Sequence, residues 1–111
     1  MRTIPQRILC GLACLMTMAV TVRAQFLILG APSSSSWNTD LQSTLTATHL
    51  LSGGVSVMNV NTSTPTLSTL LNYKAVLVFS DSGGFQDPTT LGNVLASYVN
   101  AGGGVVEATF A

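Results

Sequence analysis

Charge is scarce in this 111-residue chain, which has four Lys or Arg, four Asp or Glu and one histidine. A protein that grips nucleic acid through its phosphates needs a basic stripe, and four cations do not supply one. No apolar run reaches the roughly 18–20 residues needed to span a hydrocarbon core. Cysteine is confined to Cys10 and Cys14. Everything after them is thiol-free, which excludes disulfide staples and thiolate zinc sites from the bulk of the chain. What is abundant is apolar side chain, 47% of residues. That is enough to bury a core and is incompatible with a disordered chain. The length suits a single domain.

The few basic residues are unevenly placed. Arg2, Arg7 and Arg23 all precede residue 25, and residues 8–22 between them are mostly apolar. Val22 and Ala24 put small or apolar residues ahead of a cleavage point between Ala24 and Gln25. A basic start, an apolar core and a small-residue end are the layout of a secretory signal peptide over residues 1–24. As a helix its apolar stretch would measure about 22 Å, short of a hydrocarbon core of roughly 30 Å. An uncleaved signal anchor and lipid attachment at Cys14 are the competing readings. The expected location is secreted or extracytoplasmic, with no membrane association after cleavage.

Cleavage would leave 87 residues, 25–111, in which Lys74 is the only Lys or Arg. Against it stand Asp40, Asp81, Asp87 and Glu107, so one base and four acids give −3 with His49 neutral. The neutral precursor becomes an acidic, cysteine-free domain whose stability rests on packing alone.

Along residues 25–111 the apolar pattern alternates between short β-rich runs and helical spacing. Phe26-Leu27-Ile28-Leu29, ended by Gly30, reads as a strand buried on both faces. After a four-serine loop, Leu41, Leu45 and Thr48 recur at helical spacing. Asn38 or Thr39 is the expected cap, Thr39-Asp40-Leu41-Gln42 a capping box, and Gly53-Gly54 the stop. Residues 55–60 alternate strictly, as an edge strand does. Thr64-Pro65 opens a short helix with Leu67, Leu70 and Leu71 inward. Residues 75–79 form the clearest buried strand. Asp87-Pro88 starts the best helix, with Leu91, Val94, Leu95, Tyr98 and Val99 on one face. Gly102-Gly103-Gly104 ends it before a last strand from Val105.

The order β-α-β-α-β-α-β predicts an α/β fold, a flavodoxin-like three-layer parallel sheet of order 2-1-3-4. It is expected to be partial, because such a domain ordinarily continues with another helix and strand. With the last strand uncovered, residues 25–111 are expected to be marginally stable or to associate.

In open α/β sheets ligands bind beyond the carboxyl ends of strands, where the strand order reverses. Two loops converge there. One carries Ser33 and Ser34, the other Asp81, Ser82, Gly83 and Gly84. Their hydroxyls and backbone N–H groups suit an anion or a small polar ligand, although serine and glycine are also ordinary turn residues. No dinucleotide or P-loop glycine pattern occurs, and no cofactor is expected. His49, without a carboxylate three or four residues away, reads as a surface or half-buried side chain. No G-x-S-x-G elbow accompanies it. Asp87 reads as a helix cap, and Asp81 is the acid best placed to touch a ligand. Glu107 reads either as an inward group needing a partner or as a solvent-exposed one. Asn61-Thr62-Ser63 is an N-glycosylation sequon, relevant in a eukaryotic source.

Three segments, Tyr73-Lys74-Ala75-Val76-Leu77-Val78-Phe79-Ser80, Leu91-Gly92-Asn93-Val94-Leu95-Ala96-Ser97-Tyr98-Val99 and Ala101-Gly102-Gly103-Gly104-Val105-Val106, resemble secreted members of the class I glutamine amidotransferase-like superfamily, including its ThuA-like domains. The resemblance implies a nucleophilic cysteine just after the strand at residues 105–109, with a base histidine and an acid much later. Here Thr109-Phe110-Ala111 stands in that place. Gly83 and Gly84 match the oxyanion-side loop of catalytic relatives, but a hole without a nucleophile performs no acyl transfer. The expectation is therefore a secreted, non-catalytic α/β module, binding or architectural, that is a fragment or the N-terminal piece of a larger extracellular protein. Its partners would be other extracellular domains or a small polar ligand. The alternative is a hydrolase or glycan-related enzyme whose catalytic residues lie beyond Ala111.

Overall fold

The structure, a computed structural model, describes residues 25–81 and 83–109. Residues 1–24, read above as a signal peptide with cleavage expected after Ala24, lie outside the described residues, as do Ser82, Phe110 and Ala111. Strands and helices alternate as β1 (Phe26–Ala31), α1 (Ser36–Ala47), β2 (Val55–Asn59), α2 (Leu67–Leu70), β3 (Ala75–Ser80), α3 (Pro88–Asn100) and β4 (Gly104–Thr109). All four strands are parallel, in the order β2-β1-β3-β4. This α/β arrangement is compatible with a flavodoxin-like fold and matches the order read from the sequence.

β1 is paired on both sides, Phe26 with Val55 of β2 and with Ala75 of β3. Its apolar run follows from that position, since Leu27, Ile28 and Leu29 are all buried. Each such side chain contributes roughly 1.5–3 kcal/mol by leaving water. Alternation along the strands sorts the faces. Leu27, Leu29 and Ala31 join Val76 and Val78 under Leu70 of α2 and Leu91 and Tyr98 of α3 in one cluster. On the opposite face α1 packs on β2 and β1. There Gly30 meets Asn38 of α1, and an added Cβ would strike the Asn38 Oδ1.

The helix ends differ from the sequence reading in instructive ways. α1 starts at Ser36, ahead of the expected caps, and Ser35 makes no side-chain cap bond. Thr39 instead donates to the Ser36 carbonyl at 2.8 Å, and Gln42 donates to Val55 O at 2.7 Å, so no capping box forms. The same helix stops at Ala47, well before Gly53-Gly54. Those two glycines, at φ 95° and 91°, instead make the turn into β2. For α2 the cap is Thr66, which accepts from Thr69 N at 3.3 Å, and Thr64 does not serve. Leu71 and Val99, expected inward, are exposed.

α3 follows expectation. Asp87 caps it, accepting from Thr90 N at 3.0 Å and from Thr90 Oγ1 at 2.7 Å. These bonds, the backbone one first, hold its carboxyl below the ordinary value. At the other end Tyr98 is buried, and its hydroxyl donates to the Tyr73 carbonyl at 2.7 Å. Burial pushes its phenol up.

His49 follows the end of α1, exposed and with a φ of 55°. It occupies the left-handed position that ordinarily takes glycine. Left-handed backbone costs an L-residue roughly 1–2 kcal/mol, and part of the gain from glycine is lost to its greater freedom when unfolded. His49→Gly is expected to stabilise the domain by about 0.5–1 kcal/mol. A melting curve would show a rise of roughly 2–6 °C, whereas an unchanged Tm would mean that the histidine is not strained.

Candidate functional site

At the carboxyl ends of β1 and β3 the two loops singled out in the sequence do meet, and Asp81 joins them. One carboxylate oxygen accepts from Ser33 N at 2.8 Å and from Gly83 N at 3.1 Å. The other accepts from Ser33 Oγ at 2.9 Å. Asp81 thus reaches across from the end of β3 to the loop after β1, and forms a tight turn within its own loop. Ionic acceptors make stronger bonds than neutral ones, which suits a junction between segments far apart in sequence.

The same geometry changes how the loops read as an anion cradle. Two of the backbone N–H groups that an anion would use, those of Ser33 and Gly83, already donate to Asp81. The protein supplies its own carboxylate where a phosphate or oxyanion would sit. Ser34 is half-buried, its hydroxyl 3.0 Å from that of Ser36. Gly84 is exposed, with open space where a Cβ would stand. Ser82 lies outside the described residues.

A third loop, from Val60 to Thr66, closes the junction. Gly83 is seated so tightly that a Cβ would lie 2.5 Å from Asn61 Nδ2, 3.0 Å from the Ala31 carbonyl and 3.1 Å from that of Pro32. Gln86 fastens the same loop three times, with its backbone N–H donating to Val60 O at 2.8 Å, its side-chain nitrogen to Thr62 O at 2.8 Å, and its side-chain oxygen accepting from Thr64 Oγ1 at 3.0 Å. Asn61, the sequon asparagine, keeps its Oδ1 buried without a hydrogen-bond partner. Its side-chain nitrogen, the atom a glycan would use, faces the Gly83 backbone.

His49 lies at the other end of the sheet, because α1 runs back from the β1 carboxyl end towards the turn that enters β2. It does not meet Ser33, Ser34 or Asp81. Among the described residues no group of three or more His, Cys, Asp or Glu is placed to hold a metal. No described helix is long and apolar enough to cross a membrane.

Two apolar depressions lie away from the loop junction. One, of about 360 Å³, runs between α1 and the outer half of the sheet, along Trp37, Leu41, Leu77, Phe79 and Ala108. Trp37 is 48% exposed and neighbouring Val106 57% exposed. The sequence reading passed over this face. Its signal was the alternation that puts Leu77 and Phe79 on the face opposite Val76 and Val78, which α2 and α3 cover. The other, of about 210 Å³, lies against α3 and is bounded by Glu107. Glu107 is exposed, the second of the two readings offered by its position in the strand.

No family model, curated protein or solved structure matches the chain.

Proposed function

We propose that the chain is an exported, non-catalytic module with a partial, flavodoxin-like three-layer fold related to the glutamine amidotransferase-like group, serving as an architectural or binding part of a larger extracellular protein. The observation that carries this reading is the uncovered outer half of the sheet. All-parallel sheets occur almost only with both faces covered. Here α1 packs on β2 and β1 and Phe79 is buried beside Asn38, while Leu77 is only half-buried and Val106 and Ala108 are exposed. Two neighbouring strands are about 10 Å across, the width of one helix. A further helix from the rest of the protein, apolar on its inner side, fits that space. No charged side chain lines the groove to oppose it.

Export is supported by the basic-apolar-small order of residues 1–24. The segments that resemble the amidotransferase group fall on β3, on α3 and on the turn into β4. The non-catalytic reading is supported by Thr109-Phe110-Ala111 in place of a cysteine, and by the Gly83 amide being engaged by Asp81.

Hydroxyl-radical footprinting read by mass spectrometry tests both parts residue by residue. Trp37 is expected to be oxidised readily in the isolated chain and severalfold more slowly in the secreted parent protein, whose N-terminus should be Gln25. Equal oxidation in the two would overturn the docking reading, and an N-terminus at Met1 would overturn the export reading.

A further inference from the structure

The smaller depression has a chemistry of its own. It is walled by Val78, Phe85, Leu91, Leu95 and Val105, and Glu107 stands at its edge. The register sets Glu107 beside Val78, on the helix-facing side of β4. Along that side Val105 is apolar and Glu107 is acidic, while Lys74, the only Lys or Arg in 25–111, precedes the far end of β3. No ion pair or hydrogen bond to Glu107 forms among the described residues. A carboxylate in this position repels a second chain that would pair with the strand edge, and it also sets the sign of whatever enters the cavity.

Gly92 is the second observation. It borders the cavity from the interior of α3, where glycine weakens a helix. An added Cβ there would meet nothing within 4 Å, so no close approach requires a glycine. What the missing side chain does is leave the wall of the cavity open.

We propose that this cavity binds a small amphiphilic cation, an aliphatic primary ammonium whose tail fills the apolar space and whose head pairs with Glu107. The volume of about 210 Å³ falls below the roughly 300–1,000 Å³ of drug-sized sites, so the tail is short. Carboxylate and phosphate ligands are repelled by Glu107, and neutral tails gain burial alone.

The test uses the full chain, with backbone amide shifts followed by NMR during titration with n-hexylammonium, 1-hexanol and hexanoate. Saturable shifts centred on Gly92, Val105 and Glu107 are expected for the ammonium. Hexanol should bind about fivefold more weakly, the weight of a partly exposed ion pair, and hexanoate more weakly still. Glu107→Gln should bring the ammonium down to the level of hexanol. Gly92→Leu should close the cavity to both, while Gly92→Ala, which only favours the helix, should keep binding and confirm folding. Equal binding of the ammonium and hexanol to the unaltered chain would overturn the proposal. So would an absence of saturable shifts, or shifts that gather around Trp37 instead.

Discussion

Tyr98→Ala is expected to remove about 3–5 kcal/mol of stability, the range for emptying a large aromatic site in a core. Domains of this size have in total about 4–13 kcal/mol, at roughly 0.05–0.15 kcal/mol per residue, so the variant should be largely unfolded in mild urea. Three features concentrate the effect. The ring is 1% exposed and belongs to the cluster beneath α2 and α3. Its hydroxyl satisfies the Tyr73 carbonyl at the entry to β3. Its flat face also fills the space above Gly103, where an added Cβ would run into the ring. Tyr98→Phe separates these contributions, because it keeps the ring and loses only the bond. Its expected cost is about 0.5–1.5 kcal/mol. Urea denaturation followed by circular dichroism would measure both, and a loss below about 1 kcal/mol for alanine would contradict the packing described.

Gly30→Ala is expected to cost about 1–3 kcal/mol, the penalty for forcing atoms into a filled interior. The new methyl would strike Asn38 Oδ1 and come within 2.7 Å of Phe79 Cε1. Asn38 is buried and cannot swing into solvent without moving α1. Its Oδ1 also lacks a partner, so truncating Asn38 removes a buried acceptor that gains nothing from its position. Asn38→Ala alone should therefore be close to neutral, and combined with Gly30→Ala it should recover at least half of the loss. Strict additivity in that double-mutant cycle would show that the two residues do not touch.

Much of the fold was legible because burial leaves a period in the sequence. A run such as Leu27-Ile28-Leu29 belongs to a strand covered on both faces, and the alternation at Val55 to Asn59 belongs to an edge. With right-handed crossovers those two facts nearly determine the strand order. The ends of α1 were misread for a physical reason. Thr39 and Gln42 have the spacing of a capping box, but tertiary packing gives Gln42 a better acceptor at Val55 O. The helix then stops where Thr48 turns its hydroxyl back on Leu45 O, a local bond that competes with helix continuation. Asp81 was legible as an acid at the point where strand order reverses. Its use was not, since its partner Ser33 is 48 residues away in sequence. The groove beside Trp37 escaped notice because each of its residues reads as ordinary core, and only the layout of layers shows which core positions go uncovered.

The central place of β1 has a consequence for how the chain is made. β1 is the first of the described strands to be synthesised, yet its two neighbours, beginning at Val55 and Ala75, come much later. It has no hairpin partner to seal it early, and parallel pairing at long separation is slow to form. Phe26 to Leu29 must therefore wait, unpaired and apolar, while the rest of the chain is synthesised. A holding chaperone during that interval would act on this strand first. One edge of β1 can pair once β2 arrives, and the other stays open until β3 does.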